Sequence, residues 1–348
     1  MTLAFDPAVA AALASDRASR ALRRRIVIAV LSVMVVAAFA LTLMLGQSFT
    51  PPGTVLRVLF GEDVAGASFT VGRLRLPRAT LSIVAGLSFG LGGAAFQTML
   101  RNPLASPDVI GISTGASAAA VFAIVILGLD GSAVSAFAIA AGLSIAMVIY
   151  LMSFRGGVVG TRLILIGIGV AQTLNSIIFY VLSQAPQWNL QEATRWLAGS
   201  VNGASWTQTL PALVALVVFG ILLLSRARDL EMLRLGDDTA AARGVRVGLT
   251  RIIVIVGAVG MIAFATSAAG PIAFVAFLSG PIAARIVGRD GSLLIPSALV
   301  GAALVLIADY CGQFLLGARY PVGVVTGALG APYLIYLIIR ASRSNGSH

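Results

Sequence analysis

Apolar residues along this 348-residue chain gather in long unbroken runs separated by short polar connections. Ten runs can be drawn, at roughly 26–46, 79–100, 107–129, 133–153, 161–183, 209–225, 252–270, 272–288, 292–316 and 322–340. Several reach about 20 residues, the length a helix needs to cross the hydrocarbon core of a bilayer. The pattern predicts an all-α polytopic membrane protein with about ten transmembrane helices. Pro271 falls between the seventh and eighth runs, and Pro103, Pro107, Pro186, Pro296 and Pro321 also stand near run ends, where a missing N–H does least harm.

Three connections are more than turns. Residues 47–78 end in the basic cluster GRLRLPR. Residues 184–208 contain NLQEATRWLAGSV, whose apolar Leu190, Ala193, Trp196 and Leu197 recur at the spacing of an amphipathic helix lying on the surface. Residues 226–251 include RLGDDTAAARGV, where Gly236 and Gly244 divide the segment into short helical pieces. Asp237 and Asp238 begin the middle piece and Arg243 ends it, an order that complements the helix dipole, with Asp237 placed to serve as N-cap. The runs themselves are dense in small residues, including Gly86-xxx-Gly90 and Gly111-xxx-Gly115, which let helix backbones approach closely.

Charge then fixes orientation. Only 11% of residues are charged and 58% are hydrophobic, against about 25% charged in soluble domains. The net charge of +11 comes from arginine alone, because the chain has no lysine. With the N-terminus inside, Arg57, Arg73, Arg75, Arg78, Arg195 and Arg319 fall outside and the other eighteen arginines inside. That bias fits the positive-inside rule and places both termini in the cytoplasm. The basicity is topological, so nucleic acid is not expected as a partner. Arg23, Arg24 and Arg25 precede a first run long enough to span, which reads as a retained helix. The expected organisation is a cytoplasmic tail at 1–25, one ten-helix permease domain at 26–340, and a second tail at 341–348.

Much chemistry is excluded. GLSFG at 86–90 and GISTG at 111–115 imitate the hydrolase elbow, but the only histidine is the terminal His348. They read as helix-packing segments. One cysteine, Cys311, permits no intramolecular disulfide, and with one histidine it makes no metal cluster. No cofactor is expected. Without lysine there is no P-loop, so the chain is not expected to hydrolyse ATP. Asp309 is the one acid deep in an apolar run. A lone intramembrane acid would suit an ion-coupled secondary transporter, which is the alternative reading.

Four ordered stretches resemble the FecCD/BtuC-like permeases of ABC importers for iron-siderophores and vitamin B12. LRLPRATLSIVAGLSFGLGGAAFQTMLRNPLASPDVIGISTGAS, 74–117, is similar to the family block R-L-P-R, G-x-x-x-Q, N-P-L-A-x-P. LGDDTAAARGV, 235–245, resembles its L-G-x-x-x-A-x-x-L-G-V coupling segment. GPIAFVAFLSGPIAARIVG, 270–288, and YPVGVVTGALGAPYLIYLI, 320–338, resemble G-P-I-x-F-V-G-L and L-P-V-G-V-V-T-A-x-x-G-x-P.

The resemblance implies a BtuC-like permease fold in the bacterial inner membrane. It also implies two cytoplasmic ATPase subunits, a second permease subunit and an extracytoplasmic solute-binding protein delivering a ferric siderophore or related chelate. Leu235, Gly236, Asp237, Asp238, Ala240, Ala241, Arg243 and Gly244 would form the helix–turn–helix that enters a cleft on the ATPase, the alanines allowing close approach. Arg75 and Arg78 match the external arginines that meet carboxylates of the binding protein, and Arg319 lies in a neighbouring external loop. Gly280-Pro281 stands where the family has Pro-His, and Arg243 where leucine is usual. Such departures suit one half of a heterodimeric pair over a homodimer. By polarity, Gln97, Gln172, Asn175 and Ser176 are the candidates to line the translocation path.

Overall fold

The computed structural model describes residues 7–107, 111–153, 160–288 and 291–345. Within them the chain forms helices α1 (Pro7–Met44), α2 (Pro52–Leu59), α3 (Leu76–Met99), α4 (Ile112–Val125), α5 (Gly131–Ser153), α6 (Gly160–Ser183) and α7 (Gln187–Leu197). There follow α8 (Trp206–Leu224), α9 (Ala227–Leu233), α10 (Asp237–Ala242), α11 (Val247–Ala269), α12 (Val275–Val287), α13 (Leu294–Tyr310) and α14 (Val322–Asn345). A π-helical stretch, Ser68–Arg75, leads into α3, and another, Cys311–Leu315, prolongs α13. No strand occurs among the described residues.

The ten apolar runs become α1, α3 to α6, α8 and α11 to α14. Seven of these helices are long and apolar enough to cross a membrane, while Ile112–Val125, Val275–Val287 and Val322–Leu337 are shorter apolar stretches. Two of the short ones begin where the backbone is forced off helix. Gly111 stands at φ 89° before α4, and Gly270, Pro271 and Phe274 (φ 64°) separate α11 from α12. The first helix departs most from expectation. It starts at Pro7, so most of the polar tail at 1–25 is helical and continuous with the span. Arg155, Arg289 and residues 346–348, His348 among them, lie outside the described residues.

α3 is the hub. Eighteen of its 24 residues are buried, so it meets protein on all sides, packed by α13, α11, α12 and α8. Glycine makes this possible. A Cβ on Gly86 or Gly90 would strike the backbone of α13 at Gly301 and Ser297, and one on Gly93 would overlap the carbonyl of Ala276 in α12. Gly115 likewise faces Ile145 of α5. The elbow-like GLSFG and GISTG are thus contact surfaces between helices, as small residues in membrane bundles usually are.

Connections gather on two faces. On one, the long-loop face, the amide of Ser200 donates to Ala269 O (2.7 Å) and that of Gly323 to Gly199 O (3.0 Å). The amphipathic stretch there is α7, with Ala193 buried, Leu190, Trp196 and Leu197 half-buried, and Asn189 donating to Ile124 O of α4 (3.2 Å). On the other, the arginine-rich face, Arg24 of α1 donates to Ser292 O before α13, beside α9 and α10.

Candidate functional site

α9 and α10 form the helix–turn–helix that the two glycines predicted. Gly236, at φ 110°, and Gly244, at φ 86°, bracket α10, positions where a side chain would be strained. Two details differ from expectation. Gly236 is the N-cap and Asp237 the first helical residue, and no side chain caps α10. The Asp237 carboxylate instead accepts from Arg251 Nη2 at the start of α11 (2.8 Å) and from Arg101 Nη2 just past α3 (3.3 Å). Ala240, expected at the cleft, is 1% exposed within the main apolar core. It meets the rest of this chain, because the helical turn points it inward. The outward side carries Leu235, 58% exposed, with Asp238, Ala241, Arg243 and Gly244.

The long-loop face corrects two further expectations. Asp309 is not alone: Arg78 Nε donates to its Oδ2 (2.8 Å) and Arg78 Nη2 to its Oδ1 (2.7 Å). The side chains are 16% and 5% exposed, a bidentate geometry with both charges largely removed from water. Asp309 is thus not the lone acid on which the ion-coupled alternative was based. Arg78, in turn, has its planar fork occupied. Arg75 is also engaged within the chain. It donates to Leu43 O (2.9 Å), Met44 O (3.1 Å), Thr50 Oγ1 (3.1 Å) and Ser48 O (2.8 Å), fastening the end of α1 to the start of α3. Arg319 is exposed, as is Arg73, which sequence reasoning had left out.

The four path candidates do not converge. Gln97 is buried, its Nε2 donating to Phe277 O of α12 (3.0 Å). It also reaches a cavity of about 940 Å³ bounded by Arg101, Glu231, Arg234, Arg285 and Leu337, which opens between α3, α9, α12 and α14 near the arginine-rich face. Gln172 and Ser176 are exposed and Asn175 half-buried on α6, which packs on α4 and α5. The remaining side of α6 carries exposed Phe179 and Tyr180 beside those polar groups. Among the described residues no cluster of three or more metal-ligating side chains occurs.

Known proteins fit this architecture. The FecCD transport family matches residues 34–340. The chain is 38% identical over 293 residues to the ferric enterobactin transport system permease protein FepG of Escherichia coli, covering 83% of this chain and 88% of that one. It is 34% identical over 327 residues to the iron(3+)-hydroxamate import system permease protein FhuG of Bacillus subtilis, covering 91% and 97%. A solved metal-chelate type ABC transporter, in an inward-facing conformation, shares the fold with a TM-score of 0.80 at 24% identity, over 90% of this chain and 98% of that one. Family, relatives and fold describe a membrane permease component of ABC importers, in which separate subunits hydrolyse ATP. The chain belongs to the FecCD transport family.

Proposed function

We propose that the chain carries a ferric siderophore, or a related iron or cobalamin chelate, from an extracytoplasmic solute-binding protein into the cytoplasm. The arginine-rich face is then cytoplasmic and both termini lie inside, in keeping with the positive-inside bias. The observation that supports this most is the α9–α10 hairpin. An exposed Leu235 beside Asp238, Ala241 and Arg243 offers a small, mixed surface to an ATPase, on an element braced from behind by Ala240 and Asp237. Two ATPases would bind one such hairpin each. The open side of α6, with Gln172, Asn175 and Ser176, supports a path completed by a second permease subunit, here a non-identical one. Exposed Arg73 and Arg319 support docking of the binding protein.

Relatives named for ferric enterobactin, iron-hydroxamate and iron-citrate transport support an iron chelate as cargo. The test is to purify the chain with an ABC ATPase, a solute-binding lipoprotein and a second permease from the same genome. Mass spectrometry of the ligand bound to the co-purified binding protein should return a ferric chelate. A permease that captures neither the ATPase nor the binding protein, or whose binding protein holds no metal chelate, would overturn the reading.

A further inference from the structure

Three unusual features of the arginine-rich face meet at one carboxylate. Arg101, the residue after the α3 C-cap, takes left-handed backbone (φ 52°), one of two non-glycine residues with positive φ among those described. Gly236 takes φ 110°, and a side chain there would approach Arg101 Nη1 at 3.8 Å. Asp237 forgoes capping its own helix and bonds both Arg101 and Arg251. Strain of this kind persists where the surroundings impose it and tends to gather at functional sites.

Stability alone is a poor explanation. On the Arg101 arm the side chains are 46% and 38% exposed, and an ion pair so wet adds little to folding. Position explains more. Arg101 continues from α3, the most buried helix, and Arg251 lies on α11, which packs on α3, α8 and α5. Arg101 is also part of the cavity wall. One short helix is therefore fastened to the two helices that hold the core and to the edge of the inner cavity.

We propose that Asp237 is a positioning residue for coupling: it transmits displacement of α10 to Arg101 and Arg251, and so moves the cavity wall when the ATPase closes. The inference rests on α10 being the ATPase contact. Asp237 then works inward, while Leu235, Ala241 and Arg243 work outward. The Arg101 arm sets the cavity edge, and the shorter, better shielded Arg251 arm (14% exposed) serves as the pivot.

The experiment uses the reconstituted complex with its ATPase, carrying Cys311→Ser and Thr98→Cys, the latter on the cavity wall. The rate at which a water-soluble maleimide modifies the introduced thiol is measured with and without ATP–vanadate trapping. The parent should show a nucleotide-dependent change of at least about fivefold, the lower end of ordinary coupling between sites. Arg101→Gln should retain ATPase capture and hydrolysis yet flatten that change to less than about twofold. Asp237→Asn should flatten it too, and Asp237→Glu, which keeps the carboxylate, should restore part of it. A purely structural role would instead lower ATPase capture and thermal stability while leaving the nucleotide response of the assembled fraction intact. That result, or a parent that captures ATPase but shows no nucleotide response, overturns the inference. A parent that captures no ATPase overturns the reading of α10 and the inference with it.

Discussion

Arg78–Asp309 and Asp237 with its two arginines use the same chemistry in opposite settings. The first pair sits at the long-loop end of α3 and α13, bidentate and almost sealed from water. The second sits at the other end of α3, with one carboxylate shared between a shielded Arg251 and an Arg101 half in solvent. Burial makes a charge pair costly to break and poor at exchanging partners. Exposure makes it cheap to break and easy to rearrange. The long-loop end thus holds α3 to α13 as a fixed joint, and the arginine-rich end is built for movement.

Double-mutant cycles on the two pairs give the largest predicted contrast. Asp309→Ala leaves the Arg78 guanidinium buried and unpaired and should cost about 3–5 kcal/mol, measured by thermal unfolding in detergent. Adding Arg78→Leu should recover much of it, because no uncompensated charge remains. Arg101→Ala, which breaks only the exposed arm at Asp237, should cost no more than about 1 kcal/mol. Equal penalties at the two sites would erase the distinction between joint and hinge.

The two sides of α10 come next. Ala240→Trp has no room in the core and should destabilise the protein by about 1–3 kcal/mol. Ala241→Trp points outward and should shift stability by less than about 0.5 kcal/mol, yet abolish ATPase capture in a pull-down. If both variants unfold alike, α10 has no free side to offer.

The smallest effect belongs to the exposed arginines Arg73 and Arg319. Arg73→Glu with Arg319→Glu should slow association of the binding protein at low salt, and the difference should fade as salt rises, since rim charges act chiefly on encounter. Arg75→Glu should instead loosen the α1–α3 connection, seen as a lower unfolding temperature. A binding-protein on-rate sensitive to Arg75 but not to Arg73 or Arg319 would reverse that assignment.

What could be read from the sequence was local in origin. The ten runs, the amphipathic α7 and the glycine-bounded α10 each follow from spacing within a few residues, and helices stand at those places, α1 starting earlier and α4 shorter than its run. What escaped was long-range or directional. Arg78 and Asp309 are 231 residues apart, and no periodicity connects them. One signal was present: a deep acid needs a partner, and in an otherwise apolar helix that partner must come from another helix. The inward turn of Ala240 was hidden because three consecutive alanines carry no facial bias. The diversion of Asp237 from capping depends on Arg101 and Arg251, which reach it only once α3 and α11 are packed. α2 and the π-helical entry to α3 lay inside a connection read only for its basic cluster.

ATP-driven uptake in vesicles tests the central claim most directly. The chain, reconstituted with a second permease, ATPase and binding protein from the same genome, is supplied outside with the radiolabelled chelate identified on that binding protein, and with ATP on the arginine-rich side. The account predicts uptake that requires ATPase, ATP and binding protein together, survives collapse of the proton gradient, and is lost in Leu235→Asp. Uptake by the permease alone, abolished by a protonophore and indifferent to Leu235→Asp, would contradict it.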